Sequence, residues 1–209
     1  IDVTGTAVTD GLTVAGNVSA DGGTIKLDGN YPVGTDNVAL GNTALDSNVS
    51  GVRVTAIGSQ ALTANTASDN TAIGARAMAS TTSGANNVAV GRDSMFTNST
   101  GAENVSVGLN TMYYNTTGAN NTALGRSALQ ANTTASNNVA IGYQAGYTNT
   151  TGAQITAVGQ SALKLNTTGA YNNAFGYQAL NDNTTGNYNA AFGSQALASN
   201  TTASNNTGL

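Results

Sequence analysis

Residues 121–142 read NTALGRSALQANTTASNNVAIG. Its two ends, Asn121-Thr122-Ala123-Leu124-Gly125 and Asn138-Val139-Ala140-Ile141-Gly142, are one motif repeated 17 residues apart. Outward from there the same glycine recurs as Gly41, Gly58, Gly74, Gly91, Gly108, Gly159, Gly176 and Gly193. Every gap is 17 residues except one of 16, between Gly58 and Gly74. A short fixed period marks a stacked, quasi-one-dimensional architecture in which no unit folds without its neighbours.

The columns around the glycine repeat by residue type. One position before it stand Leu40, Ile57, Ile73, Val90, Val107, Leu124, Ile141, Val158, Phe175 and Phe192. Two before it is alanine, with Ser106 the exception. Four after it is Leu or Met, and all three methionines of the chain fall in this column, as Met78, Met95 and Met112. Gly146 breaks the column, and Tyr147 beside it is expected to fill the gap. An Asn column lies seven after the glycine, opening an Asn-Thr-Thr-Gly turn as at Asn115 to Gly118, with Thr81 the exception. A second Asn column precedes the apolar triplet, broken by Val54 and Ile155.

Each unit reads as a short strand (Val/Thr-Ala-Ile/Leu), a glycine, a second segment, and a turn. β-branched residues in period-two alternation argue for the strand. Glycine's tolerance of positive φ and asparagine's bonding to its own backbone argue for the turn. Segments such as Ser127-Ala128-Leu129-Gln130 are too short for a stable helix, so strand or irregular coil is expected there. Stacking coils about 4.8 Å apart puts like over like, turning Asn columns into amide ladders and Thr columns into hydroxyl rows. The predicted class is all-β, a parallel β-solenoid of 17-residue coils. Residues 37–209 form ten coils and a partial eleventh, and residues 1–36 a β-rich connector. The expected interior is the Ile/Leu/Val column with the Leu/Met column. The Ala column, pointing the other way along the strand, is expected to face a second copy near a symmetry axis in an obligate trimer. An Ala row facing solvent on a monomer is the alternative.

Asn, Thr, Ala and Gly make up 121 of the 209 residues, a composition that would suggest disorder without the columnar phasing. Net charge is −4 with six Lys and Arg and no basic cluster, which argues against nucleic-acid partners. No apolar run approaches the length of a membrane span. The absence of His and Cys removes His-based triads, thiol nucleophiles and most transition-metal sites. The carboxylates, from Asp2, Asp10 and Asp21 to Asp93, Glu103 and Asp182, are scattered, with no calcium-loop spacing and no catalytic pair in equivalent columns. No catalytic, cofactor or metal residue is therefore assigned, and no enzyme is expected. Arg76, Arg92 and Arg126 fall just after their glycines, and Tyr143 and Tyr177 share the column of the last two. They form either an outward sugar-binding strip or a solvated variable column.

The motif at Asn138 to Gly142, with Asp36-Asn37-Val38-Ala39-Leu40-Gly41 and Asp69-Asn70-Thr71-Ala72-Ile73-Gly74, resembles the head repeat of trimeric autotransporter adhesins. That family implies a left-handed parallel β-roll built from three chains. The leader Val3-Thr4-Gly5-Thr6-Ala7-Val8-Thr9-Asp10-Gly11-Leu12-Thr13-Val14 and the Asn-Thr-Thr-Gly spacing resemble tail-fibre proteins of marine phages. Both resemblances imply an elongated homotrimer working outside the cell. The expectation is a structural, adhesive fibre located on the virion. Its implied partners are a host cell-surface receptor, with polysaccharide a candidate, and other fibre or tail proteins. A bacterial trimeric surface adhesin is the near alternative. A monomeric ice-binding solenoid, motivated by Thr116-Thr117, Thr133-Thr134 and Thr150-Thr151, is a more distant one.

Overall fold

A computed structural model describes residues 35–209. The predicted connector, residues 1–36, lies almost wholly outside the described residues. The rest is a β-solenoid. Strands β1 (Val38–Leu40), β2 (Thr55–Ile57), β3 (Thr71–Ile73), β4 (Val88–Val90), β5 (Val105–Val107) and β6 (Thr122–Leu124) are followed by β7 (Val139–Ile141), β8 (Thr156–Val158), β9 (Asn173–Phe175), β10 (Ala190–Phe192) and β11 (Thr207–Gly208). They form one parallel sheet in sequence order. Register is direct, Ala123 over Ala140 and Leu124 over Ile141. The ten full coils make a rod section about 50 Å long at the usual interstrand spacing.

Hydrogen bonding between coils continues around most of each turn. Thr122 N donates to Asn138 O at 2.8 Å, Leu129 N to Ala145 O at 3.0 Å and Thr116 N to Thr133 O at 2.9 Å. After the glycine the chain makes tight turns rather than a strand or helix, closed by Ala128 N to Gly125 O and Asn132 N to Leu129 O. These turns need left-handed residues. Ser127 (φ 59°), Leu129 (φ 48°) and Asn137 (φ 62°) stand for three columns that adopt this conformation in successive coils. Left-handed backbone costs an L-residue roughly 1–2 kcal/mol, and more when Cβ is branched. Among the described residues Thr43 is the only β-branched one in any such position. That explains why the core column is Leu or Met and never Ile or Val.

The interior differs from the sequence expectation. The Ala column faces inward within one chain: Ala56, Ala72, Ala89, Ala123, Ala140, Ala157, Ala174 and Ala191 are fully buried. It packs with the Leu/Met column and with a second small column, Ala61, Ala77, Ala128, Ala145, Ala162 and Ala179. The Ile/Leu/Val column points out. Leu40, Ile73, Leu124, Ile141, Phe175 and Phe192 are between 37% and 46% exposed. Inside a single 17-residue turn the position opposite Leu or Met holds only a small side chain, alanine or the one serine, Ser106. Strand alternation then sends both flanking residues outward. The expectation of an Ala column packed against another copy is therefore overturned.

The remaining interior is amide. Asn115 Nδ2 donates to Asn98 Oδ1 (2.8 Å) and to Gly118 O (3.0 Å), and Asn132 Nδ2 donates to Asn115 Oδ1 (2.7 Å). In the second ladder Asn104 Nδ2 donates to Asn87 Oδ1 (3.1 Å) and to Gly118 O (2.9 Å). Buried amides are tolerable when paired in this way. In the 16-residue coil the two ladders touch, Asn70 Nδ2 donating to Asn65 Oδ1 at 2.9 Å. Ser106, the exception in the Ala column, is matched by Ser94 in the other small column. Ser94 Oγ donates to Ser106 Oγ at 2.8 Å, and Ser106 Oγ donates to Thr111 O at 3.1 Å.

Candidate functional site

Two exposed faces of the rod carry chemistry. The first is the outer face of the sheet. Residues three and one before the glycine both project there, so Val88 (37% exposed), Val105 (41%) and the Leu/Ile/Phe file form an apolar stripe running the length of the stack. At its far end Phe175 and Phe192 stack, centroids 5.1 Å apart and planes at 4°. Tyr171 and Tyr188 form a second stacked pair, 4.8 Å apart at 7°. Both pairs are 17 residues apart, so in-register coils place like rings face to face.

The second face is formed by the turns after the glycine. Arg92 and Arg126 lie in one file with Leu109 between them and Tyr143 next, as the sequence spacing implied. Arg76 falls one file over. Asp93, 2% exposed, sits beneath both Arg76 and Arg92. Arg76 Nη2 donates to Asp93 Oδ2 at 2.8 Å while its Nε lies 2.7 Å from Oδ1. Arg92 Nε donates to the same Oδ2 at 2.9 Å. The hydrogen bond that Arg76 donates to Asp93 holds the guanidinium above its ordinary pKa, with the carboxylate's charge adding to it. Arg76 also lies over Phe96 (5.3 Å to the centroid), which stacks on Tyr113 (5.1 Å), which meets Tyr114 edge-on (4.6 Å). Arg126 lies over Tyr143 at 5.8 Å. Tyr177, two coils further on, is exposed.

The Asp93 clamp and the Phe96–Tyr113 stack were not read from the sequence. The available signal was the 17-residue spacing that also joins Arg76 to Asp93. The expected hydroxyl rows resolve into two kinds. Thr116 Oγ1 donates to Thr133 O at 2.9 Å and Thr133 Oγ1 to Thr150 O at 3.1 Å, so this file bonds backbone rather than hydroxyl. The neighbouring Thr117, Thr134 and Thr151 are exposed, giving one outward file.

Among the described residues no group of three His, Cys, Asp or Glu side chains could hold a metal ion. No helix among them is long and apolar enough to cross a membrane. Neither a known protein family, nor a characterised protein, nor a solved structure matches this chain.

Proposed function

We propose that the chain is a segment of an elongated attachment fibre, a phage tail-fibre component that assembles as a homotrimer, extends from the virion and presents host-receptor binding. The observation that carries this reading is the apolar stripe on the outer sheet face. Monomeric proteins rarely leave a continuous apolar strip of this length uncovered. Covering the six most exposed side chains of the Leu/Ile/Phe file would return on the order of 5 kcal/mol per chain. Because the stripe runs through every coil and is the same in every copy, copies laid side by side around an axis cover one another along the rod. Such a bundle sets reach and stiffness, and its symmetry multiplies weak receptor contacts into avidity.

Gold-labelled antibody raised against residues 37–209, applied to virions and cells of a producing culture, tests the location. Decoration of virion tails is expected. Decoration of the cell envelope selects a bacterial trimeric adhesin with the same assembly, and label on neither overturns the fibre reading.

The exposed threonine file favours one second reading, adsorption to ice. A single row offers half of the two-dimensional lattice that a crystal face presents. Thermal hysteresis on cooling would establish it, and freezing indistinguishable from buffer would remove it.

A further inference from the structure

We propose that the file Arg92, Leu109, Arg126 and Tyr143 is a docking strip for an acidic polysaccharide, one whose sugars carry carboxylates, laid along the rod axis. This names the receptor class within the attachment-fibre reading and rests on it.

The charges come first. Arg126 is exposed and pairs with no carboxylate among the described residues, its one recorded contact being the Tyr143 ring. Arg92 is 68% exposed and uses only Nε on Asp93, leaving its terminal nitrogens to solvent. Asp93 is buried and shared with Arg76, so the cluster of three guanidiniums and one carboxylate keeps a surplus of positive charge on a chain whose net charge is −4. The buried carboxylate fixes Arg92 of the strip at its rim, which preorganises that guanidinium for an anion and reduces the ordering cost of binding.

The spacing comes second. Arg92 and Arg126 are two coils apart, about 10 Å along the rod. A polysaccharide with a carboxylate on every sugar presents alternate carboxylates at a similar repeat. Leu109, 37% exposed, lies between the two arginines, and Tyr143, 43% exposed, continues the file. Both offer the apolar surface on which the C–H face of a sugar ring packs. Guanidinium groups bind carboxylates bidentately, which selects acidic sugars over neutral ones. This strip lies on the turn that follows each ruler glycine, one residue beyond it and outside the strands.

Titration calorimetry of the 209-residue protein with oligogalacturonate at low salt, with neutral dextran of equal length as control, tests the assignment. Oligogalacturonate is expected to bind, more weakly as salt is raised, and dextran not to bind. The double variant Arg92→Gln/Arg126→Gln should weaken binding by about tenfold or more, and Tyr143→Ala should weaken it severalfold. Arg53→Gln, in a different file, should leave it unchanged. Circular dichroism and the melting temperature establish that each variant stays folded. Failure of the native protein to bind, or equal binding by the double variant, overturns the proposal. So does polyphosphate binding as tightly as the sugar with no loss in Tyr143→Ala, since a bare charge patch would then account for it. Virion labelling is independent of all these results, so loss of the sugar assignment is distinguishable from loss of the fibre reading.

Discussion

Gly146 and Ile155 complete each other across one coil. Gly146 occupies the Leu/Met column with the same left-handed backbone (φ 59°) as its neighbours. A Cβ there would lie 2.9 Å from Leu129 Cδ2 and 3.6 Å from Ile155 Cδ1. Ile155, 1% exposed, stands where other coils carry a ladder asparagine. Two exceptions in two columns thus exchange volume: the side chain missing at 146 is supplied from 155. Tyr147, the neighbour expected to fill the gap, stays partly exposed.

The exchange predicts strong coupling. Gly146→Leu alone overpacks the coil at a cost of about 1–3 kcal/mol. Ile155→Asn alone leaves a void and costs about 2–4 kcal/mol. The double variant restores the arrangement of the other coils and should lie within about 1.5 kcal/mol of the native protein. For a chain of this size each kcal/mol moves the melting temperature roughly 2–4 °C, so calorimetry of the four proteins resolves the cycle. Simple additivity would show that the two positions do not share space.

The ruler glycines separate two kinds of strain. In Gly125 (φ 124°) a Cβ would stand 2.7 Å from Gly142 O and 2.8 Å from Gly142 C. In Gly193 (φ 127°) the nearest atom, Leu209 C, is 3.7 Å away. Gly193→Ala should cost only backbone strain, about 1–3 kcal/mol. Gly125→Ala adds a backbone clash in mid-stack and should cost more than about 4 kcal/mol, or prevent folding. Equal melting temperatures for the two would mean that the coils are not in the close contact described.

Asn115 and Thr117 share one turn but differ in role. Asn115→Ala strips Asn98 Oδ1 of its buried donor, Asn132 Nδ2 of one of its two acceptors and Gly118 O of one of its two donors. A loss of about 2–4 kcal/mol is expected. Thr117→Ala, at an exposed hydroxyl, should fall within about 0.5 kcal/mol of the native protein. Denaturant titration of the pair measures the ladder directly, and matched midpoints would count against it.

Acid acts at the end of the stack nearest Asp36. Arg53 Nε donates to Asp69 Oδ1 at 2.6 Å and Nη2 to Oδ2 at 2.8 Å. The hydrogen bond from Arg53 holds the Asp69 carboxyl below its ordinary pKa against the opposing effect of desolvation. Its contribution is therefore complete above the unfolded-state value of about 3.9 and fades as pH drops through the lower folded value. Asp69→Asn should flatten melting temperature against pH below about pH 4 and leave neutral stability nearly unchanged, as expected for an exposed pair. An unaltered acid limb would mean that the pair contributes nothing.

The stack was legible because its cause is one-dimensional. A fixed spacing of Gly125, Gly142 and Gly159 admits direct register, and register alone then places Asn over Asn and Phe175 over Phe192. The direction of each strand face was not legible. Alternation fixes that Ala123 and Leu124 point oppositely but not which is inside, and hydrophobicity favours the wrong one. The deciding factor is lumen width, set by the left-handed turn at Ser127 and Leu129, a conformation that no local motif announces for such residues. Arg92, Arg126 and Tyr143 were legible as a file for the same reason as the glycines. Asp93 was not, because its burial depends on the turn geometry and its second partner lies a full coil earlier.

Bundling through the outer apolar stripe is the claim on which the fibre reading turns, and sedimentation equilibrium of the folded 209-residue protein tests it most directly. The expected result is a single species at three times the chain mass of 20.7 kDa, unchanged on dilution through the micromolar range. A fully folded species at 20.7 kDa alone would contradict it.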